Sequence, residues 1–150
     1  MKPVTAATIA LLTATASPAL ADLITKTSPY SVDHTVNRLA LAAEEAGATV
    51  FADVDHAAGA EQIGTRLSPT RMLMFGNPKI GTPAIEAAPT AGLDLPLRVV
   101  VYENADGSVS LSYHEPADLA ATHGIDADAP YLATMNGALG KLTDAAIAEE

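Results

Sequence analysis

Two short strands joined by a tight turn restrict this chain to folds that contain an antiparallel sheet. The strands are predicted over 97–103 and 108–113, and the turn between them is Asn104-Ala105-Asp106-Gly107. This pattern is typical of a β-hairpin, because the Gly of an Asp-Gly pair readily adopts a positive φ. Predicted helices flank the hairpin on both sides, which favours an α+β fold over a doubly wound parallel sheet.

The remaining segments predict a two-layer sandwich with a mostly antiparallel sheet of about five strands and four helices packed on it. The other strands are predicted at Leu23–Ser28, Thr49–Val54 and Thr70–Phe75, and the helices are predicted to begin after Ser31, at Thr82-Pro83, at Pro116 and after Asp128. Ser31, Thr82 and Asp128 have side-chain oxygens suited to capping helix N-termini. Asp55 to Ala60 are expected to form a loop of small residues.

Residues 1–21 have the features of a secretory signal peptide. Lys2 gives a positive start, residues 6–16 are small and apolar, and Ala19-Leu20-Ala21 is a typical cleavage triplet. We therefore expect cleavage after Ala21, a single domain over 22–150, and a periplasmic or secreted location. No later segment is long and apolar enough to predict membrane insertion after cleavage.

Composition excludes several classes of function. The formal net charge is −10, which disfavours nucleic acid and anionic lipid as partners, since both need a basic surface. The chain has no cysteine, so disulfides, thiol nucleophiles and haem attached through a cysteine pair are all excluded.

One long segment resembles a known family. Residues 76–103 read GNPKIGTPAIEAAPTAGLDLPLRVVVYE, which is similar to the signature of the domain-of-unknown-function 302 family: GNP, then GTP, then an AGLDLP block that leads into a strand. Val54-Asp55-His56 and Leu111-Ser112-Tyr113 extend the resemblance. It implies a compact fold with a mostly antiparallel sheet, often seen as a homodimer, and it implies no established reaction.

The first candidate site is the segment from Gly76 to Pro83, where a strand end, a glycine-rich turn and a helix start meet. Free N–H groups at a helix start can bind an anion, and Asn77, Lys79, Gly81 and Thr82 are the candidate ligand-binding residues. Alternatively, these residues only shape the turn and cap the helix.

His56 and Asp94 are further candidates. His56 follows Asp53 and Asp55 and could bind zinc or copper or act as a general base, although a structural histidine is the alternative. Asp94 lies between two leucines, where it could cap a turn or face a cleft as a buried carboxylate. His123 is expected only to complement the dipole at a helix C-terminus.

Three functional hypotheses follow. The leading one is a non-catalytic periplasmic module that acts as a homodimer and binds a small anionic ligand, a metal or a protein. The alternative is a small hydrolase or isomerase with His56 as the base and Asp55 or Asp94 as its partner. A third is a structural module that presents the apolar stripe of its last helix to a partner. This stripe comprises Leu132, Met135, Leu139, Leu142 and Ala146.

Overall fold

The computed structural model describes residues 23–149, which form five antiparallel strands and several helices. In chain order the elements are β1 (Leu23–Ser28), α1 (Val32–Glu45), β2 (Thr49–Asp55), α2 (His56–Gln62), β3 (Thr70–Gly76), α3 (Pro78–Ala87), a 3₁₀ helix (Pro89–Leu93), β4 (Leu97–Glu103), β5 (Val109–His114), α4 (Asp118–His123) and α5 (Pro130–Ile147). The strands form one sheet in the order β1-β5-β4-β3-β2, and every neighbouring pair is antiparallel. The predicted α+β class is confirmed.

Helix α1 begins where the sequence predicts. The Ser31 hydroxyl accepts a hydrogen bond from the N–H of His34, and Asp33 lies in the first turn, where a negative charge is favoured. Val36 and Leu39 are completely buried on the face of the helix that meets the sheet. The chain then turns at Gly47, whose φ of 78° is readily adopted only by glycine.

The main core lies between one face of the sheet and helices α1 and α5. Its buried residues are Val32, Val36, Leu39, Ala43, Leu73, Phe75, Val99, Val101, Val109, Leu111, Tyr113, Leu139 and Ala146. A second core cluster connects the other half of α5 to α3, the 3₁₀ helix and α4, and contains Ala84, Ala91, Leu119, Ile125, Leu132 and Met135. Packing in these two clusters determines the positions of the elements that contain the candidate site residues.

Two serines of β5 differ from the sequence-based expectation. The alternation of Val109, Leu111 and Tyr113 with serines predicts that the serines face solvent, but Ser110 and Ser112 are only 7% and 3% exposed. The Ser112 hydroxyl is hydrogen-bonded to Thr25 at 2.8 Å, and Ser110 accepts from the Asn104 side chain at 2.9 Å. Neighbouring polar side chains therefore cover this part of the second face.

Three element boundaries correct the predictions. The expected loop after Asp55 is helix α2, because the Asp55 carboxylate accepts the Ala58 N–H at 2.8 Å and caps it. Helix α3 begins at Pro78, with Asn77 as its cap, so Thr82 does not cap it. Helix α5 begins at Pro130 after Ala129 and has no side-chain cap, so the cap predicted at Asp128 is wrong.

The predicted signal peptide, residues 1–21, lies outside the described residues. Within 23–149, no helix has both the length and the apolar character that crossing a membrane requires.

Candidate functional site

Residues 76–83, the GNP–GTP segment, connect β3 to α3 and form the first turns of α3. The Asn77 side-chain Oδ1 accepts the Lys79 N–H at 3.0 Å, while the N–H groups of Ile80 and Gly81 both donate to the Asn77 main-chain carbonyl at 2.9 Å. Pro78 has no N–H to offer. The donors that an anion would need at this helix start are therefore engaged within the protein, which favours the capping interpretation of Asn77.

A second bond from Asn77 crosses to another part of the fold. Its Nδ2 donates to the carbonyl of Gly47 at 3.0 Å, in the turn after α1. The acceptor of this side chain caps α3, and its amide donor binds the turn. Asn77 therefore stabilises the position of α3 relative to the turn after α1.

A cleft of about 270 Å³ opens beside this junction. Residues from helices α3 and α5, strands β2, β3 and β4, the α1–β2 turn and the segment just before β4 line it. Among them are Phe75, Ile80, Ile85, Leu95, Pro96, Met135 and Leu142. Among the lining residues that the structure describes, Asn77 and Thr82 are the two with polar side chains, so the cleft is strongly apolar.

The glycines of the family signature lie in the walls of this cleft. A Cβ on Gly81 would lie 3.9 Å from the Leu95 side chain, and one on Gly76 would lie 3.5 Å from the Pro96 Cβ. These distances are ordinary van der Waals contacts, so an alanine fits at either position while a larger side chain would fill space in the cleft. The GNP–GTP and LDLP blocks thus meet here through pairs of residues that are 14 positions apart (Gly81 and Leu95) and 20 positions apart (Gly76 and Pro96).

Asp94 does not line this cleft. Its Oδ2 lies 2.7 Å from Nε2 of His123, and its Oδ1 accepts a hydrogen bond from Arg98 at 2.8 Å. His123 Nδ1 is in turn 3.0 Å from the Thr90 hydroxyl. His123 was expected only to complement the helix dipole, and this cluster was not predicted, since no spacing in the sequence indicates a pair 29 residues apart.

A smaller cleft of about 230 Å³ borders Asp94 and Arg98 and includes the charged residues Glu115 and Asp118. Asp118 Oδ2 is buried and has no hydrogen-bond partner among the described residues. The mixture of charges distinguishes this cleft from the apolar one.

His56 is the first residue of α2 and is exposed, apart from both clefts. No hydrogen bond joins it to a carboxylate in the described part of the chain, because Asp55 caps α2 and Asp53 pairs with Arg71. The hydrogen bonds that Arg71 donates to Asp53, with a contribution from Asp33, raise the pKa of Arg71. Across residues 23–149, no three His, Asp or Glu side chains are arranged to hold a metal ion.

The other predicted site residues separate into two groups. Gly81 and Thr82 line the apolar cleft with Asn77, whereas Lys79 is exposed and does not line it.

In the apolar stripe of α5, Leu132, Met135, Leu139 and Ala146 are buried and Leu142 is partly buried within one subunit. This burial removes the support for a partner surface on that stripe.

The fold and the clefts define an α+β domain whose signature segments build an apolar cleft at one end of the sheet. Residues 24–144 match the sequence model of the family described as domain of unknown function DUF302, and the chain belongs to this family. The fold agrees with the crystal structure of an uncharacterized conserved DUF302 protein from Bacillus stearothermophilus. That match has a TM-score of 0.74 and 19% identity and covers 83% of this chain and 97% of that one.

Two similar curated proteins are considerably longer. The chain is 41% identical over 117 residues to proteins named fluoride-specific ion channel FluC 1 from Brucella suis biovar 1 and Brucella abortus biovar 1. The match covers 77% of this chain but 46% and 43% of those proteins. The chain therefore spans less than half the length of these relatives.

Proposed function

We propose that this chain is an exported domain that binds a small, mostly apolar molecule in the 270 Å³ cleft beside α3. The observation that carries the proposal is that the two blocks of the family signature meet in the walls of this cleft. The volume is close to the lower end of ligand pockets, about 300 Å³, so the ligand is small.

The lining indicates the chemistry of the ligand. Asn77 uses both of its side-chain groups within the protein, and the exposed Thr82 hydroxyl makes no hydrogen bond among the described residues. A ligand with an apolar body and one polar group that contacts Thr82 fits this arrangement. Such a ligand fits this cleft better than the small anion expected from the sequence. The N–H donors at the start of α3 are engaged within the protein, and the net charge of −10 repels anions.

A neutral apolar dye tests the proposal. N-phenyl-1-naphthylamine is titrated into the wild type, into Gly81→Leu, whose side chain fills the cleft, and into Gly59→Leu. Gly59 is a matched control because it lies in helix α2, where an added Cβ would meet no atom of the described residues within 4 Å beyond its chain neighbours and its own helix backbone. We expect saturable fluorescence for the wild type and the control, and affinity reduced about tenfold or more in Gly81→Leu, equivalent to about 1.4 kcal/mol. Equal affinity for all three proteins would refute the cleft as the site.

The exported location and the homodimer are part of the proposal. The signal-like sequence of residues 1–21 supports export, and the family resemblance supports the dimer. Fractionation of cells that produce the full chain tests the location, with cleavage after Ala21 expected in the mature protein. Sedimentation equilibrium tests the dimer, which a monomer at micromolar concentration would contradict.

A second candidate function is that of an accessory domain for a membrane channel. The observation that favours it is the 41% identity to less than half of the Brucella channel proteins, together with the lack of a membrane-spanning helix in residues 23–149. The matched region would then lie outside the conducting part of those proteins. We expect the Brucella suis protein without its matched region to conduct fluoride in liposomes; loss of conduction in a folded truncated protein would contradict this.

A further inference from the structure

Three polar side chains form a continuous hydrogen-bonded chain where the 3₁₀ helix meets α4. Thr90 Oγ1 is 3.0 Å from Nδ1 of His123, and Nε2 of the same ring is 2.7 Å from Oδ2 of Asp94. None of the three lines the apolar cleft, so their chemistry is independent of the ligand proposed there.

The order of donors along this chain follows from the carboxylate. An ionised Asp94 can only accept, so Nε2 of His123 carries the proton that it donates. In the neutral imidazole Nδ1 is then an acceptor, and the Thr90 hydroxyl donates to it. This arrangement of a hydroxyl, a base and a carboxylate that orients the base is the one that activates a hydroxyl as a nucleophile.

Burial and charge support this arrangement. The His123 side chain is only 4% exposed, whereas Thr90 lies at the surface, so a substrate can reach the hydroxyl while the ring is packed among its neighbours. Arg98 holds the other oxygen of Asp94 at 2.8 Å and also donates to the Leu93 carbonyl at 3.3 Å. The carboxylate that orients the ring is therefore itself fixed.

We propose that Thr90, His123 and Asp94 are an acyl-transfer site that acts on small esters. The Thr90 oxygen attacks the ester carbonyl carbon while its proton passes to Nδ1 of His123, which then donates that proton to the departing alkoxide. The acyl group is left on the Thr90 oxygen as an ester and the alcohol leaves. A water molecule, deprotonated by His123, attacks this acyl-threonine, and the carboxylic acid leaves as Thr90 recovers its proton.

Two probes test the site in the full domain. p-Nitrophenyl acetate measures ester hydrolysis, and a fluorophosphonate that phosphonylates activated hydroxyls is located by peptide mass mapping. For the wild type we expect hydrolysis above the buffer rate and a single adduct on Thr90. Hydrolysis no faster than buffer with no adduct, or an adduct on another residue, would overturn the proposal.

Variants of Thr90 separate catalysis from a purely structural role for its hydroxyl. We expect Thr90→Val to lose the adduct and to reduce hydrolysis to the buffer rate, because it removes the nucleophile that carries the acyl group. Thr90→Ser keeps a hydroxyl in the chain and should retain both signals, which a structural role alone does not predict. Thr65→Val removes an exposed loop hydroxyl and is the control, expected to match the wild type. Wild-type hydrolysis in a folded Thr90→Val would refute Thr90 as the nucleophile.

Discussion

Asn77 donates a hydrogen bond from its side-chain amide to the main-chain carbonyl of Gly47 over 3.0 Å. This bond connects two walls of the apolar cleft, because Ala46 and Ala48 on either side of Gly47 line one wall and helix α3 forms another. The Asn of the GNP block therefore has two structural tasks: it caps α3 and it sets the position of the helix relative to the α1–β2 turn.

Replacing Asn77 tests both of these tasks. We expect Asn77→Ala to reduce the free energy of unfolding by about 1–2 kcal/mol, because it removes a helix cap and leaves the Gly47 carbonyl without its donor. Asn77→Ser keeps a side-chain oxygen suited to capping α3 and loses the bond to Gly47, so it should cost less. Urea unfolding measures both values, and Asn77→Ala within a few tenths of a kcal/mol of the wild type would contradict the assignment.

Two leucines on α1 provide a matched test of the core. Leu39 is completely buried between α1, the sheet and α5, whereas Leu41 on the same helix is 59% exposed. We expect Leu39→Ala to cost about 2–5 kcal/mol because it leaves a cavity, and Leu41→Ala to change stability by about 0.5 kcal/mol or less. Chemical denaturation measures the free energy of unfolding of both variants. Similar losses of stability in the two variants would contradict the assignment of Leu39 to the core.

The hairpin turn contains a carboxylate with a shifted pKa. The hydroxyl of Ser108 donates to Asp106 at 2.6 Å and its N–H donates at 2.9 Å, and these bonds lower the pKa of Asp106. A lowered pKa in the folded state means that the stabilisation is present above the unfolded pKa and is lost as the pH falls through the folded value. We expect Ser108→Ala to raise the Asp106 pKa and Ser108→Thr to leave it low in a carboxyl NMR titration. An unchanged pKa in Ser108→Ala would show that the hydroxyl is not the cause.

Much of the fold could be predicted because its signals are local. The Ser31 cap, the apolar face of α1 and the Asn104–Gly107 turn each depend on residues within a few positions of one another, and each is confirmed. The errors arose where a local signal competed with another. Pro83 suggested a helix start, yet it lies inside α3, because Asn77 provides a stronger cap five residues before Thr82, the expected one.

The candidate site was less predictable because its contacts are long-range. Asn77 was predicted as a ligand-binding residue and lines the cleft, but its bond to Gly47 joins residues 30 positions apart and is not apparent from their spacing. His123 was overlooked as a partner of Asp94 for the same reason, since the second core cluster brings α4 to the 3₁₀ helix. The apolar lining of the cleft also comes from residues of five different elements. No single element indicates a pocket in the sequence, so the cleft could not be predicted.

The measurement that tests the central claim most directly is an amide NMR titration with two probes, toluene as a neutral apolar molecule and inorganic phosphate as an anion. The apolar-cleft proposal predicts that toluene shifts the amide signals of residues 76–85 and 95–97, with smaller or no changes at His56 in α2. It also predicts that phosphate leaves the signals of Lys79 to Thr82 unchanged, since the helix-start donors there are engaged. Phosphate shifts at Lys79–Thr82 without any response to toluene would contradict the proposal and restore the anion site.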